Sequence, residues 1–345
     1  MNRVSITYPT RAADRDQWIL AQRPPRHVVD PETPYAFLVE DERTSTGEIV
    51  PVATIFLTNR ECPWRCIMCD LWRNTLAEPT PPGAIPAQIE YALEQLRAVE
   101  PNRVPHSDGT ALFHAVRVGS SRHIKLYNAG SFFDPRAIPP EDHLAIAESV
   151  RSFDRVIVEC HPALINDAVL RFRDLLSGQL EIAMGLETAH PEVLEKLNKR
   201  LTLDQFKAAA DFLHRNSIDL RVFILVQPPF MRPEESLHWA ERSLDFAFDC
   251  GATAATLIPT RAGNGAMDSL ARAGEFTPPT LATLEAAVAY GLKLQRGHIF
   301  SDLWDLPRSI DCPACSAARV ARLRAMNLSQ TLEPPIPCEI CGGQS

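Results

Sequence analysis

The sequence predicts an α/β fold, namely an open (βα)6 TIM-like partial barrel with a small cysteine-rich metal-binding extension at its carboxyl end. From about residue 50, short apolar runs of strand length alternate with helical patterns. Such alternation gives parallel strands joined by right-handed crossovers, and six units are fewer than the eight that close a full barrel. Two Cys-x-x-Cys pairs then follow in a short, proline-containing tail, where a metal ion would supply the folding energy. A flat, doubly wound sheet is the alternative.

The predicted elements follow one another in a regular order. The six apolar runs read as strands are 55–57, 124–127, 156–158, 182–186, 220–226 and 255–258. The helical patterns are 87–99, 140–153, 166–176, 202–216, 233–250 and 278–294. We therefore expect an amino-terminal arm over 1–48 with a short helix at 12–22, a barrel core over 49–300 and the extension over 301–345.

Two connecting segments do not follow the alternation of predicted strands and helices. Residues 102–122 form an insertion of no clear type between the first helix and the second strand. Gly263-Asn264-Gly265 follows the sixth strand, and its two glycines predict a mobile loop that could serve as a lid.

Composition narrows the class of protein. The chain has 345 residues, is 45% hydrophobic and carries a formal net charge of −8, which argues against a general polyanion-binding surface. It contains no run of 18 or more apolar residues and no basic start followed by an apolar segment, so neither a membrane span nor a secretory signal is expected. We therefore expect a cytoplasmic protein whose nine cysteines are reduced. Cys160 and Cys250 stand alone and are interpreted as core residues.

The first cysteine cluster follows directly on the first strand. Cys62, Cys66 and Cys69 have the spacing Cys-x-x-x-Cys-x-x-Cys. Cuboidal iron–sulfur clusters normally take four cysteines, so three thiolates would leave one iron open for a substrate group. A zinc site completed by a distant histidine is the competing interpretation, because structural zinc needs four ligands.

This loop resembles that of the radical S-adenosylmethionine (SAM) superfamily, and the resemblance extends along residues 50 to 300. Within the superfamily the chain resembles the elongator-type, tRNA-modifying branch, and there the radical SAM subunits of archaeosine synthase. The segments that carry the likeness are Asn128-Ala129-Gly130-Ser131-Phe132-Phe133-Asp134, Val158-Glu159-Cys160-His161-Pro162, Met184-Gly185-Leu186-Glu187-Thr188, Asn198-Lys199-Arg200 and Val226-Gln227-Pro228-Pro229-Phe230. Two positions depart from the pattern: Met68 replaces the usual aromatic residue, and Ser131 replaces a common Glu.

The resemblance implies a [4Fe–4S] cluster on the three cysteines, with SAM bound to the open iron. A lysine or arginine would bind the SAM carboxylate, a glutamate the ribose hydroxyls, and the turn after the second strand the amino group. The residues expected at SAM are Met68, Asn128 or Ser131, Gly130, Glu187 or Glu159, and Lys199 or Arg200; Gln227 is a weaker candidate for substrate. The alternative for the charged residues is an ordinary salt bridge or a solvated helix end.

The second cysteine cluster comprises Cys312, Cys315, Cys338 and Cys341, with 22 residues between the two pairs. Four thiolates suit zinc, and Gly342 would allow the positive φ of a zinc knuckle. An auxiliary iron–sulfur cluster is the alternative. Nearby arginines could form a basic face for RNA or a partner, although a solvated amphipathic helix explains them equally simply; they are Arg308, Arg319, Arg322 and Arg324.

Three functions follow as hypotheses. The first is a radical SAM enzyme acting on a nucleoside in RNA or on a small nucleoside-like molecule. RNA is compatible with the net charge of −8 if a partner subunit presents it. The enzyme would need an electron donor of the flavodoxin or ferredoxin type. The second is a radical SAM enzyme on a peptide or small metabolite with an auxiliary cluster. The third is a non-catalytic zinc-binding interaction protein.

Overall fold

The structure is a computed structural model that describes residues 7–98, 121–304, 306 and 312–341. Most of the 102–122 insertion, together with Arg308 and Gly342, lies outside the described residues. Within the described ranges, no helix is both long and apolar enough to cross a membrane.

A single eight-stranded sheet forms the centre of the described chain, with the strands in sequence order. The first two strands, β1 and β2, are antiparallel, and every later neighbour is parallel. The strands are β1 (Ala36–Arg43), β2 (Ile49–Leu57), β3 (His123–Asn128), β4 (Arg155–Glu159), β5 (Gln179–Glu187), β6 (Asp219–Val226), β7 (Ala254–Pro259) and β8 (His298–Ser301). The predicted α/β partial barrel is confirmed. Its six predicted strands correspond to β2–β7, and the sheet gains one more strand at each edge.

Contacts between distant strands show that the sheet curls. Arg221 of β6 forms an ion pair with Glu42 of β1 at 2.5 Å, although four strands separate β1 from β6. The ring of Tyr127 on β3 lies 6.0 Å from that of Phe223 on β6. Both pairs meet inside the curve, so the sheet encloses an interior that is open on one side.

The described residues form ten α-helices. They are α1 (Ala12–Gln22), α2 (Ala84–Ala98), α3 (His143–Ser149), α4 (Asp167–Arg173), α5 (Pro191–Lys196), α6 (Leu203–Arg215), α7 (Ser236–Asp249), α8 (Ala266–Arg272), α9 (Leu281–Leu294) and α10 (Ser316–Ser329). Helix α6 illustrates why they form: Thr202 and Gln205 make a capping box, and Phe206 and Leu213 lie buried on one face. The main hydrophobic core fills the space between such faces and the sheet.

The last helix, α10, packs on both edge strands of the sheet, β1 and β8. The side-chain amide of Gln330 donates to Ile299 O and accepts from Ile299 N–H, each at 2.8 Å. Asn327 makes the same pair of contacts with Ser301 at 2.9 Å. These amides satisfy the free hydrogen-bonding groups of β8, so the extension covers a sheet edge that would otherwise be open to pairing.

Candidate active site

The loop with Cys62, Cys66 and Cys69 leaves the carboxyl end of β2, the edge where the other parallel strands also end. All three cysteines are half-buried and free of disulfides. Burial raises the pKa of each thiol to about 12, and the nearby Lys199 ammonium opposes this shift at Cys62 and Cys66. Thiols in such a setting release their protons to solvent when they bind a metal, because the charge of the metal stabilises the thiolates.

Backbone contacts from two asparagines fix the shape of this loop. Asn198 donates from its side-chain amide to Arg65 O at 2.8 Å. Asn264 donates to Ile67 O at 2.7 Å and to Cys69 O at 3.1 Å. Asn264 is only 4% exposed. The Gly-Asn-Gly turn therefore braces the cysteine loop, and its interpretation as a mobile lid is wrong because its central side chain is buried and hydrogen-bonded.

The turn after β3 lies against the first cysteine. A Cβ on Gly130 would stand 2.8 Å from the Cβ of Cys62, so no side chain fits there. Asn128 is 1% exposed, and both polar atoms of its side chain are buried without a hydrogen-bond partner among the residues that the structure describes. Ser131 is equally buried, but its hydroxyl donates to Cys160 Sγ at 3.2 Å and accepts from His161 N–H at 3.0 Å. Asn128 is thus the residue of this turn with unused hydrogen-bonding groups.

A lysine–glutamate pair stands beside the thiols. Lys199 Nζ lies 2.5 Å from Glu187 Oε1 and also donates to Gly185 O at 2.5 Å. A Cβ on Gly185 would lie 2.2 Å from the Glu187 carboxylate and 2.3 Å from Lys199 Nζ. Glycine is therefore required for the pair to form. Glu187 also adopts a φ of +67°, an uncommon backbone conformation for a side-chain-bearing residue.

Glu159 ends β4 on the interior of the curved sheet and is half-buried. Desolvation raises the pKa of its carboxyl to about 8, and the backbone amide of Asn128 and the Lys199 charge offset only part of that effect. The carboxyl is thus mostly protonated at neutral pH.

Three further residues that were predicted to bind SAM or substrate make contacts with other parts of the chain. Arg200 is exposed and donates to Ala12 O at 2.9 Å and to Asp16 at 3.2 Å, which ties it to α1. Met68 packs against the small apolar cluster that includes Trp18 and Ile67. Gln227 is 3% exposed and donates to Thr277 O at 2.5 Å, so its amide nitrogen anchors the chain before α9.

The structure adds residues that sequence reasoning missed. Glu61, immediately before Cys62, is 6% exposed and forms ion pairs with three arginines: Arg23, Arg26 and Arg65. The Trp64 ring stacks on His161 with centroids 3.7 Å apart. Glu61 could have been singled out from the sequence because it directly precedes Cys62. Arg23 and Arg26 come from the amino-terminal segment, and nothing in their local sequence predicts contact with Glu61.

The four carboxyl-terminal cysteines converge as predicted. Their sulfur atoms all lie within 4.8 Å of one another, with 3.8 Å between Cys312 and Cys338 and 3.7 Å between Cys315 and Cys341. This group can hold a metal ion.

Two of the three arginines of α10 form ion pairs with a buried glutamate. Arg319 and Arg322 turn inward to Glu285 of α9, at 2.5 and 3.1 Å, and Glu285 is 2% exposed. Both the RNA-face and the solvated-helix interpretations are wrong for these two residues, because each guanidinium neutralises a buried carboxylate.

Comparison with known proteins identifies the class of site. The model of the radical SAM superfamily matches residues 56–240. Archaeosine synthase subunit beta of Methanosarcina acetivorans is 22% identical over 293 residues, which cover 80% of this chain and 78% of that protein. The Thermococcus kodakarensis archaeosine synthase subunit beta is 24% identical over 244 residues, or 69% of each chain. An uncharacterized protein of Methanocaldococcus jannaschii is 24% identical over 266 residues, covering 74% of this chain and 68% of that protein.

Among solved structures, the chain is similar to an amino-terminally truncated Elp3 of Methanocaldococcus infernus, with a TM-score of 0.49 and 13% identity. That match covers 66% of this chain and 54% of the Elp3 chain, so this chain spans about half of it. Methylornithine synthase gives a TM-score of 0.43 at 12% identity over 76% of this chain and 74% of that chain.

Proposed function

The chain belongs to the radical SAM superfamily, and from that premise we propose that it modifies a nucleoside, carried in RNA, by radical chemistry. The radical SAM domain implies a [4Fe–4S] cluster and SAM. Held by these residues, the two groups would supply one-electron reductive cleavage of SAM to methionine and a 5′-deoxyadenosyl radical able to abstract hydrogen from a substrate. The observation that carries the proposal is the loop of Cys62, Cys66 and Cys69, braced by Asn198 and Asn264 at the carboxyl edge of the parallel strands.

The surrounding residues fit this cofactor pair. The three cysteines would ligate the cluster. Lys199 is 7% exposed and its charge already acts on Cys62 and Cys66, so it suits the SAM carboxylate better than the outward Arg200. Glu187 beside it would accept from the ribose hydroxyls. The unpartnered amide of Asn128 would contact the amino group, where Gly130 leaves room for close approach.

The nucleoside substrate rests on the relatives that are named archaeosine synthase subunit beta. That name also supports a partner subunit, which would present the RNA and so explain how a chain with a net charge of −8 acts on a polyanion. An external donor of the flavodoxin or ferredoxin type would supply the electron. We place this chemistry in the cytoplasm, where clustered thiols stay reduced, and treat 1–48 as an arm, 49–300 as the catalytic core and 301–345 as the extension.

For the extension we propose zinc. Four sulfurs at about 2.3 Å from one tetrahedral ion would stand ~3.8 Å apart. Two of the sulfur–sulfur separations here are 3.8 and 3.7 Å, and all of them are within 4.8 Å. Thiolates of an auxiliary cubane bind different irons and would be spread more widely. The short separations therefore favour a single ion and weaken the hypothesis of a peptide or metabolite enzyme with a second cluster.

The test is anaerobic reconstitution followed by turnover with dithionite and SAM. The wild type should hold about four irons and one zinc per chain and release 5′-deoxyadenosine, and the C62A/C66A/C69A variant should release none. Mass spectrometry of RNA nucleosides from cells with and without the gene then tests the substrate. Release of 5′-deoxyadenosine by the triple variant would contradict the proposal, and an unchanged nucleoside profile would contradict its RNA part.

A further inference from the structure

The interior of the curved sheet is accessible to solvent at one level. Parallel strands covered by helices are normally buried on both faces. Here, however, β2, β3, β4 and β6 each carry a half-buried residue near the carboxyl end, at Phe56, Tyr127, Glu159 and Phe223. Phe56 pairs in register with Tyr127. These side chains share the inner face and remain partly exposed there.

Three of these side chains make an aromatic floor, defined here as Phe56, Tyr127 and Phe223. The rings of Phe56 and Tyr127 have centroids 6.2 Å apart, and those of Tyr127 and Phe223 are 6.0 Å apart and nearly perpendicular. Tyr35, which enters β1, adds a fourth ring 5.7 Å from Phe56. Because β3 and β6 are not neighbours in the sheet, the floor spans the interior from one side to the other.

Beneath the floor the interior is charged but fully paired. Lys125 and Arg221 lie two residues before Tyr127 and Phe223 on the same strands and so face the same way. Lys125 contacts Glu42 at 2.5 Å, and Arg221 contacts Glu42 at 2.5 Å and Glu181 at 2.6 Å. Each of these charges has a buried partner, so the layer beneath the floor presents no unpaired charge at Lys125 or Arg221.

At the level of the floor, the carboxyl group of Glu159 has no oppositely charged partner among the described residues. Glu159 forms no ion pair within the described part of the chain, in contrast to Glu42, Glu181 and Glu187, which all do. A carboxyl that stays protonated both donates and accepts a hydrogen bond. It therefore matches a neutral ring edge with an N–H beside an acceptor. A cationic ligand would instead need the ionised form.

We propose that the aromatic floor is a stacking platform for the planar nitrogen heterocycle of the substrate, with Glu159 hydrogen-bonded to the edge of that ring. This inference rests on the proposed function, since it identifies where the nucleoside would lie. Bases that leave a stack are held in this way, by aromatic faces and by hydrogen bonds to their edge. It assigns Glu159 to the substrate and leaves the SAM ribose to Glu187.

The test measures nucleoside binding to the reconstituted protein by saturation-transfer NMR, with adenosine, guanosine and uridine as probes and saturating SAM present. We expect at least one nucleoside to bind and Tyr127→Leu or Phe223→Leu to weaken it roughly tenfold, the effect of losing one base–aromatic stack. Tyr91→Leu removes an exposed tyrosine from the outer helix α2 and should leave binding unchanged. Glu159→Gln, which keeps one donor and one acceptor, should bind better than Glu159→Leu.

Several results would overturn the inference. These are failure of all three nucleosides to bind, equal binding by the wild type and both floor variants, displacement by SAM (which would make this the adenine site of SAM), or preference for tetramethylammonium. SAM cleavage by the reduced wild type is measured in parallel. If cleavage occurs without nucleoside binding, the floor inference fails while the radical chemistry stands. If cleavage is absent, the proposed function itself fails.

Discussion

Gly130 gives the most direct residue-scale test, because its hydrogen atom is all that fits against Cys62. Gly130→Ala should lower the iron retained after reconstitution several-fold, since the new methyl group would displace the Cys62 backbone and sulfur. Gly130 has a φ of +133°, so an alanine there also costs about 1 kcal/mol or more in backbone strain.

Gly83→Ala separates these two effects. Gly83 has a φ of +84° and nothing within 4 Å of an added Cβ. This control should lose a similar amount of stability but load iron normally. Equal iron content in the two variants, measured by metal analysis and by visible absorbance, would contradict the assigned role of Gly130.

Glu159 gives a prediction on pH. Its pKa is raised in the fold to about 8, far above that of an unfolded glutamate, so the native state holds a proton that the unfolded state releases. The stability that depends on this proton is present below about pH 4 and is lost as pH rises to about 8. Glu159→Gln should therefore gain in free energy of unfolding over the wild type from pH 5 to 8 and level off above. Urea titrations across this range would show it, with the exposed Glu90→Gln as control.

The candidate site could be predicted only in part from the sequence. The local pattern sufficed to place Cys62, Cys66 and Cys69 on one loop after a strand, because residues so close in sequence need no tertiary information to be brought together. It could not choose between Lys199 and Arg200, since adjacent residues diverge according to packing: the first turns to Glu187 and the second to α1. The SAM contacts and the substrate role of Gln227 stay predictions, and the structure adds the fact that Gln227 holds Thr277 O.

At the scale of elements, the turn before α8 supports the cysteine loop through one side chain. Asn264→Ala would leave Ile67 O and Cys69 O without their donor, at a cost of about 1–3 kcal/mol for buried groups. We expect a lower melting temperature and faster loss of iron to a chelator.

Asn166→Ala is the matched control for this substitution. Asn166 caps α4 by accepting from Ala168 N–H at 2.8 Å, so its loss should cost about 1 kcal/mol away from the cysteine loop. Iron loss at the control rate in Asn264→Ala would show that the turn does not brace the cluster site.

The interior strands could be predicted from the sequence pattern, whereas the edge strands β1 and β8 could not. The interior strands are runs of apolar residues because both faces are covered, and they were predicted on that basis. Strand β1 carries Glu40 and Glu42 toward the interior, where Lys125 and Arg221 neutralise them, so its pattern resembles a polar arm. Strand β8 has only four residues and depends on Asn327 and Gln330 from α10. Both edges are stabilised by partners far along the chain, which a local pattern does not contain.

At the scale of the whole molecule, α10 couples the four-cysteine site to the barrel. The helix starts directly after Cys315, neutralises Glu285 through Arg319 and Arg322, and ends where Asn327 and Gln330 bind β8. Arg43 of β1 donates to Leu328 O at 3.2 Å, which joins the other sheet edge to the same helix. Helix α10 of the extension therefore connects the two edge strands of the open barrel, β1 and β8.

We expect disruption of the four-cysteine site to loosen the contacts of α10 with β1 and β8 before the rest of the fold opens. In Cys312→Ser/Cys338→Ser, amide hydrogen exchange should speed up in β8 and α10, while β3, β4 and β5 keep their protection, because local opening follows the contacts that are lost. The unpaired edge of β8 should also make the variant more prone to aggregate. Cys250→Ser removes a buried thiol from the core and should leave β8 protected unless the whole fold weakens. Unchanged exchange in β8 after this disruption would mean that α10 holds the edge strand by packing alone, and that the cysteine site serves a purpose other than closing the barrel.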